Sequence, residues 1–292
     1  MLKPFVIHEP RTPQEASELL NEYGWDATAY AGGTELLVVM KEGLTSYAHL
    51  INIKTIDAID AIQIIDNEAV LRVGAGVTHR TIETSPVIAN HAPLLAEMER
   101  SLANVRVRTM GTLVGNLCFA EPHSDPAVVC MAWPGADFEL TSTDGVRRVP
   151  PDEFFIDLFM TARQENEIMT AIHFPLLPSG MGSAYYKFVL LERPSANVAA
   201  FVSVTNGAIT SARIAVGSVG PVPYRATTAE NLLVGEKPGD ELYRAAAEAV
   251  ASAADPVSDL YGSVEYKQQL IRVLTRQALQ QASERAMGVE QL

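Results

Sequence analysis

Two short glycine-rich segments constrain what this chain can fold into more than any other feature. The first, Ala31-Gly32-Gly33-Thr34-Glu35-Leu36, stands where a strand-like run, Ala27 to Ala31, gives way to an apolar helical stretch, Leu36 to Met40, that stops at Gly43. Without Cβ atoms, consecutive glycines adopt positive φ and turn successive N–H groups toward one point, which makes an anion nest. Thr34 adds a hydroxyl, and Ala29 and Tyr30 lead into the turn. The second segment, Met110-Gly111-Thr112-Leu113-Val114-Gly115-Asn116, repeats the combination with a glycine-threonine pair, a further glycine and an asparagine. A single Gly-Gly equally serves a plain strand-to-helix turn. Two such segments suit a ligand that carries two phosphates. The common nucleotide signatures fail: no lysine follows the second segment's glycines as a P-loop requires, and Gly74-Ala75-Gly76 has His79 where the dinucleotide fingerprint needs its last glycine. A Rossmann site is therefore disfavoured.

Length and composition set the frame around these segments. With 292 residues, 48% of them hydrophobic, the chain can bury one large core or two to three small ones. Its apolar stretches, such as Ile168 to Phe174, fall well short of the roughly 20 residues of a bilayer span. The start, Met1-Leu2-Lys3-Pro4-Phe5, has no apolar core with a small-residue cleavage site, so a cytoplasmic protein is expected. A net charge of -13 leaves no basic surplus for nucleic acid. Two cysteines, Cys118 and Cys130, are too few for an iron-sulfur cluster, so any electrons must pass through an organic cofactor.

Periodicity and turn signals predict an α+β chain. Phe5 to His8 reads as a strand, and Thr12-Pro13-Gln14-Glu15 as a cap, an N1 proline and a capping-box glutamate opening a helix to Tyr23. Strands follow at Leu50 to Ile53 and Ala69 to Val73, a helix at Ala92 to Leu102, and a loop leading into a strand at Arg106 to Cys118. Asp125 opens another helix, a hairpin joins Phe138 to Thr141 with Val146 to Val149, and Glu167 to Phe174 is a further strand. Leu177-Pro178-Ser179-Gly180-Met181-Gly182 is the best linker candidate. Beyond it, strands at Ala184 to Leu191, Val198 to Thr205 and Ile209 to Val219, with the hairpin signal Asn206-Gly207, precede three helices.

These segments, taken together and in order, resemble the flavoprotein subunits and domains of the molybdenum hydroxylases, the family of xanthine dehydrogenase and the medium subunit of aerobic carbon monoxide dehydrogenase. That family's Ala-Gly-Gly-(Thr/His)-(Asp/Ser)-Leu motif is matched by Ala31 to Leu36. Its Val-Arg-Asn-x-Gly-Thr-Ile-Gly-Gly-Asn-Leu motif is matched by Val107 to Leu117, and the Ala-x-Pro-x-Ser-Asp that follows by Ala120 to Asp125. The resemblance covers essentially the whole chain. It implies a two-part FAD-binding domain of the vanillyl-alcohol-oxidase-like, non-Rossmann type over residues 1–178, with parts at about 1–56 and 57–178. A C-terminal antiparallel three-stranded sheet with helices would follow over 183–292. It further implies noncovalent FAD, with its diphosphate held by Ala29 to Leu36 and Met110 to Asn116, Asp125 near the sugar-like part, and Lys187 and Met169 near the flavin. On the residues alone, Lys187 equally fits a solvated strand position, and Met169 fits ordinary core better than a cofactor contact.

Three departures from the motifs carry expectations of their own. Val114 replaces a glycine and disfavours positive φ, which predicts a lost or redirected donor and weaker cofactor binding. Thr109 replaces an asparagine. Glu35 replaces aspartate or serine and is expected to face away from the diphosphate or to cap its own helix.

The resemblance implies an electron-transfer subunit with two partners: a large molybdopterin-binding subunit and a small subunit with [2Fe-2S] clusters, in a dimer of heterotrimers. Two rivals remain at this stage, a self-sufficient flavin oxidoreductase and a cofactor-free assembly protein with the same fold. His123-Ser124-Asp125 holds hydrolase residue types, but sequence neighbours do not form a triad and no nucleophile elbow is present. The histidines lack the short spacings of zinc motifs, and no metal ligands are expected.

Overall fold

The computed structural model describes residues 2–65 and 69–288, so the last four residues of the expected C-terminal unit lie outside it. The chain begins with β1 (Val6–His8), α1 (Pro13–Tyr23), β2 (Ala27–Tyr30), α2 (Leu36–Lys41) and β3 (His49–Asn52). The three strands form a small parallel sheet in the order β1-β3-β2. Thr12 caps α1 by accepting from the Glu15 N–H, and Pro13 occupies the first helical position, as the local sequence predicts. The parallel crossover through α2 leaves the Gly32-Gly33 turn at the C-terminal end of β2.

The second part opens with β4 (Ile62–Ile65) and β5 (Val70–Gly74), then the helices α3 (His79–Thr84), α4 (Pro86–His91), α5 (Pro93–Ser101), α6 (Val105–Met110), α7 (Leu113–Phe119) and α8 (Asp125–Ala132). It closes with β6 (Asp137–Ser142), β7 (Gly145–Val149), α9 (Pro151–Phe154), β8 (Phe155–Asp157), β9 (Met160–Thr161) and β10 (Ile168–Pro175). Strands β4-β5-β10-β6-β7 make a five-stranded sheet whose pairings run antiparallel. The sequence expectation fails at Arg106 to Cys118, which is two helices rather than a loop and a strand. Asn104 accepts from the N–H groups of Arg106 and Val107, and Thr112 from that of Gly115, so each short helix starts at a side-chain cap. Those caps outweigh the strand propensity of the valines.

The last part consists of β11 (Met181–Val189), β12 (Pro194–Thr205), β13 (Ala208–Gly217), β14 (Tyr224–Arg225), α10 (Thr227–Leu233), α11 (Asp240–Ala253) and α12 (Val264–Ala286). The sheet is antiparallel and four-stranded, not three-stranded: the two residues of β14 pair with Ala215 and Val216 and are too few to leave a periodic signal. The alternation along β12 places its two faces in different cores. Val198, Ala200 and Val202 pack with α11 and α12, whereas Ala199 and Phe201 join the core beneath α8. There Trp133 meets Phe174 and Phe201 edge-on, at ring separations of 5.0 and 5.2 Å. Helix α12 crosses β11 so closely that a Cβ on Gly182 would lie 1.9 Å from the Ala282 carbonyl. No helix among the described residues is long and apolar enough to cross a membrane.

Candidate functional site

The parallel unit, the α5 to α8 helices and the β11–β12 hairpin surround a cavity of about 640 Å³. That size falls in the range of cofactor sites. One wall is the turn after β2. Gly33 has φ +70°, and a Cβ there would stand 2.6 Å from the Tyr30 ring. A Cβ on Gly32 would stand 2.2 Å from the Met110 carbonyl oxygen, so the two glycine segments touch backbone to backbone and neither position admits a side chain. Among the described residues no protein acceptor faces the N–H groups of Gly33 and Thr34. Unsatisfied donors at a cavity wall fit an anionic ligand.

The second segment is built differently. The Gly111 N–H closes α6 on the Val107 carbonyl at 2.7 Å, and its own carbonyl accepts from His79 N at 3.0 Å. Thr112 Oγ1 takes the Gly115 N–H at 3.0 Å, and Ser124 Oγ donates to Asn116 Oδ1 at 2.6 Å. Of the residues named from sequence, Ala29, Ala31 to Leu36, Thr112, Val114, Gly115, Asn116, Asp125, Met169 and Lys187 line the cavity. Tyr30, Met110, Gly111 and Leu113 do not: Tyr30 packs under Gly33, Met110 is exposed, Gly111 supports Gly32 from behind, and Leu113 is core.

The three departures from the motifs resolve in this geometry. Val114 sits in the first turn of α7, where no positive φ is needed, and its side chain is 2% exposed; the expected loss of a donor does not follow from its φ. Thr109 donates its hydroxyl to the Val105 carbonyl within α6. Glu35 neither caps α2 nor turns from the cavity. Its carboxylate meets Arg193 at 3.1 and 3.3 Å, and the same guanidinium lies 2.5 Å from Glu121. The charge is compensated in place rather than moved away.

At the opposite wall, Asp125 and Lys187, 62 residues apart, form one ion pair at 2.8 Å. Lys187 also donates to the Ser101 carbonyl at 2.8 Å, and the Tyr185 hydroxyl donates to Asp125. Burial, and then the Asp125 charge, push the Tyr185 phenol well above its ordinary range, so it remains a donor. Asn197 holds this network through the Ser124 carbonyl and the Tyr185 hydroxyl. Tyr185 and Lys187 share a face because they stand two apart on β11, a signal present in the sequence beside Lys187. Sequence reading also missed His79, Arg193 and the Ser101 to Asn104 connection as cavity walls. Cys118 lines the cavity too, but burial pushes its thiol up to about 11, which keeps it protonated and unreactive at neutral pH.

Unsatisfied donors, a glycine turn closed to side chains and a cavity of this size define a nucleotide-cofactor site outside the Rossmann class. Residues 3–177 match the family described as FAD binding domain in molybdopterin dehydrogenase, and residues 194–282 the CO dehydrogenase flavoprotein C-terminal domain. The chain belongs to the FAD-binding medium subunits of the molybdenum hydroxylase family. FAD is therefore its cofactor, and it is a subunit of an oxidoreductase. The carbon monoxide dehydrogenase medium chain of Hydrogenophaga pseudoflava is 32% identical over 97% of this chain and 98% of that one. The nicotine 6-hydroxylase medium subunit of Paenarthrobacter nicotinovorans is 31% identical over 94% of this chain and 96% of that one. A solved structure of the Hydrogenophaga pseudoflava carbon monoxide dehydrogenase, lacking the Mo-pyranopterin moiety, superposes with a TM-score of 0.94, covering 98% of this chain and 99% of its own.

Proposed function

We propose that this chain carries electrons through FAD from a [2Fe-2S] partner subunit to an external acceptor, while a large molybdopterin-binding subunit oxidises the organic substrate. The observation that carries this reading is the Gly32-Gly33 turn, whose free N–H groups face a cavity that also holds the Asp125–Lys187 pair. FAD, when bound, supplies the exchange of single electrons with a cluster and of two with an acceptor. The protein positions it and sets its surroundings. Gly33 and Thr34 would donate to the diphosphate, and Asn116, fixed by Ser124, would stand beside it. Met169 would pack against an apolar part. Lys187 would offer an ammonium whose charge Asp125 balances.

Relatives named for chemically unlike substrates, carbon monoxide and nicotine, have medium subunits that align with this chain over 97% and 94% of its length, which supports placing substrate choice in the partner. The boundary near residues 178–183 would separate the FAD-binding part from a C-terminal part, and the assembly would be a dimer of heterotrimers. Purified with its partners, the chain should release FAD on denaturation, and its flavin band should bleach when the clusters are reduced. A folded complex that yields no flavin, or a flavin that stays oxidised beside reduced clusters, overturns the proposal.

A further inference from the structure

The cavity wall contains a buried pair that the reading above leaves unused. Helix α3 begins at His79, whose Nδ1 lies 2.9 and 3.0 Å from the two carboxylate oxygens of Glu99 on α5. Glu99 is 0% exposed and His79 2%. Nothing among the described residues bonds to Nε2, and His79 is one of the residues that line the cavity. A Cβ built on Gly111 would lie 3.2 Å from both Thr34 Oγ1 and His79 Cδ2, so the ring edge that carries Nε2 borders the gap between the two glycine turns.

The proton count of the pair follows from burial. A net charge on two groups this deep is costly, so the neutral total dominates. That total is reached with the shared proton on either side: a protonated carboxyl beside a neutral ring, or a carboxylate beside an imidazolium. In both arrangements Nε2 keeps its hydrogen. Burial is the main cause that pushes the Glu99 carboxyl up and the Asp125 charge on α8 adds to it, while His79 on α3 and Arg108 on α6 pull the other way.

We propose that His79 Nε2–H is a further donor to the diphosphate of FAD, and that Glu99 is the positioning residue that keeps a hydrogen on that nitrogen. The inference rests on the FAD site proposed above and names a contact the glycine motifs do not contain. It also explains why His79 stands two residues past Val77, on the stretch that fixes the second turn. His79 N donates to the Gly111 carbonyl and Leu113 N to Val77 O, so ring and turn are held by one short stretch of backbone.

The test uses the full chain stripped of flavin, with FAD, ADP and riboflavin as probes in fluorescence or calorimetric titrations. A His79→Leu/Glu99→Leu double variant removes donor and carboxyl together, leaving no unpaired charge. FAD and ADP should bind about ten- to hundredfold more weakly, the loss expected for a hydrogen bond to a charged group, with riboflavin unchanged. Glu99→Gln, whose amide donates to Nδ1 and leaves hydrogen on Nε2, should bind FAD within a fewfold of the parent; Glu99→Leu alone should not. Wild-type affinity for FAD and ADP in the double variant overturns the proposal, as does an equal loss for riboflavin. Should that variant fail to fold, the parent chain labelled with 15N-histidine decides. The His79 Nε2 resonance should be that of a protonated nitrogen and should shift with FAD and with ADP. A bare nitrogen in the FAD-bound protein overturns the proposal. If the parent binds no FAD at all, the reading of the site fails instead.

Discussion

The two glycine turns meet backbone to backbone yet spend their backbone donors differently. The first leaves its donors free: Gly33 takes φ +70°, and the N–H groups of Gly33 and Thr34 find no protein acceptor among the described residues. The second spends more of its donors internally, Gly111 N on Val107, Leu113 N on Val77, Gly115 N on Thr112 and Asn116 N on the Thr112 carbonyl, and leaves those of Thr112 and Val114 without a protein acceptor among the described residues. In the proposed site the first turn is mainly a ligand surface, and the second mainly the platform that holds it in shape. Similar motifs thus do not imply similar work, and substitutions should separate the two.

The largest effect is expected at the contact itself. Gly32→Val would drive a side chain into the Met110 carbonyl, which stands 2.2 Å from the Cβ position and is backbone, so it cannot swing aside. Flavin recovered with the purified protein should fall to nothing, read from the absorption band. Retained FAD would mean that the diphosphate is not at this turn. Val114→Gly should do the reverse. It removes a buried side chain in the first turn of α7 and should lower stability by about 2 to 4 kcal/mol in denaturant melts of the flavin-free chain. FAD affinity should change less than threefold. A large loss of affinity with unchanged stability would show that the second turn is a ligand surface after all.

Much of this is legible in the sequence, and the reasons differ by element. The Thr12-Pro13 helix start, the Gly32-Gly33 turn and the Asn206-Gly207 hairpin are local signals whose chemistry acts within a few residues, and each stands where the sequence puts it. Arg106 to Cys118 misled because its valines favour strand while two polar caps, at Asn104 and Thr112, decide for helix. The cavity wall was half readable. Motif residues such as Asp125 carry their own signal. His79, Glu99 and Arg193 acquire a role only through partners 20 to 158 residues away.

Removing one of those distant partners should produce a middle-sized effect on the same comparison. Lys187→Met leaves Asp125 buried beside Tyr185 without its cation. The flavin-free chain should lose about 3 to 5 kcal/mol, because an uncompensated charge then remains in a site 6% exposed. Asp125→Asn/Lys187→Met should recover most of that loss. If the double variant is as unstable as the single one, the pair is held by its packing rather than by its charges.

The smallest effect separates the first turn from its own neighbour. Arg193 balances Glu35 and Glu121 at the edge of the nest, and the side chains of Arg193 and Glu35 are each 35% exposed. At that exposure solvent screens the pair, so it adds little to stability. Its consequence for an incoming diphosphate is different. Arg193→Met leaves two carboxylates at the wall that must accept negative charge, and FAD should bind about three- to tenfold more weakly at low salt, with the deficit shrinking as salt rises. Adding Glu35→Gln to that variant should restore most of the affinity, since one of the two repelling charges is then gone. The double-mutant cycle distinguishes charge from shape. If Glu35→Gln gives no recovery and the deficit is indifferent to salt, Arg193 acts by packing the β11–β12 hairpin over the turn, and the first turn would then depend on a wall as well as on its own free donors.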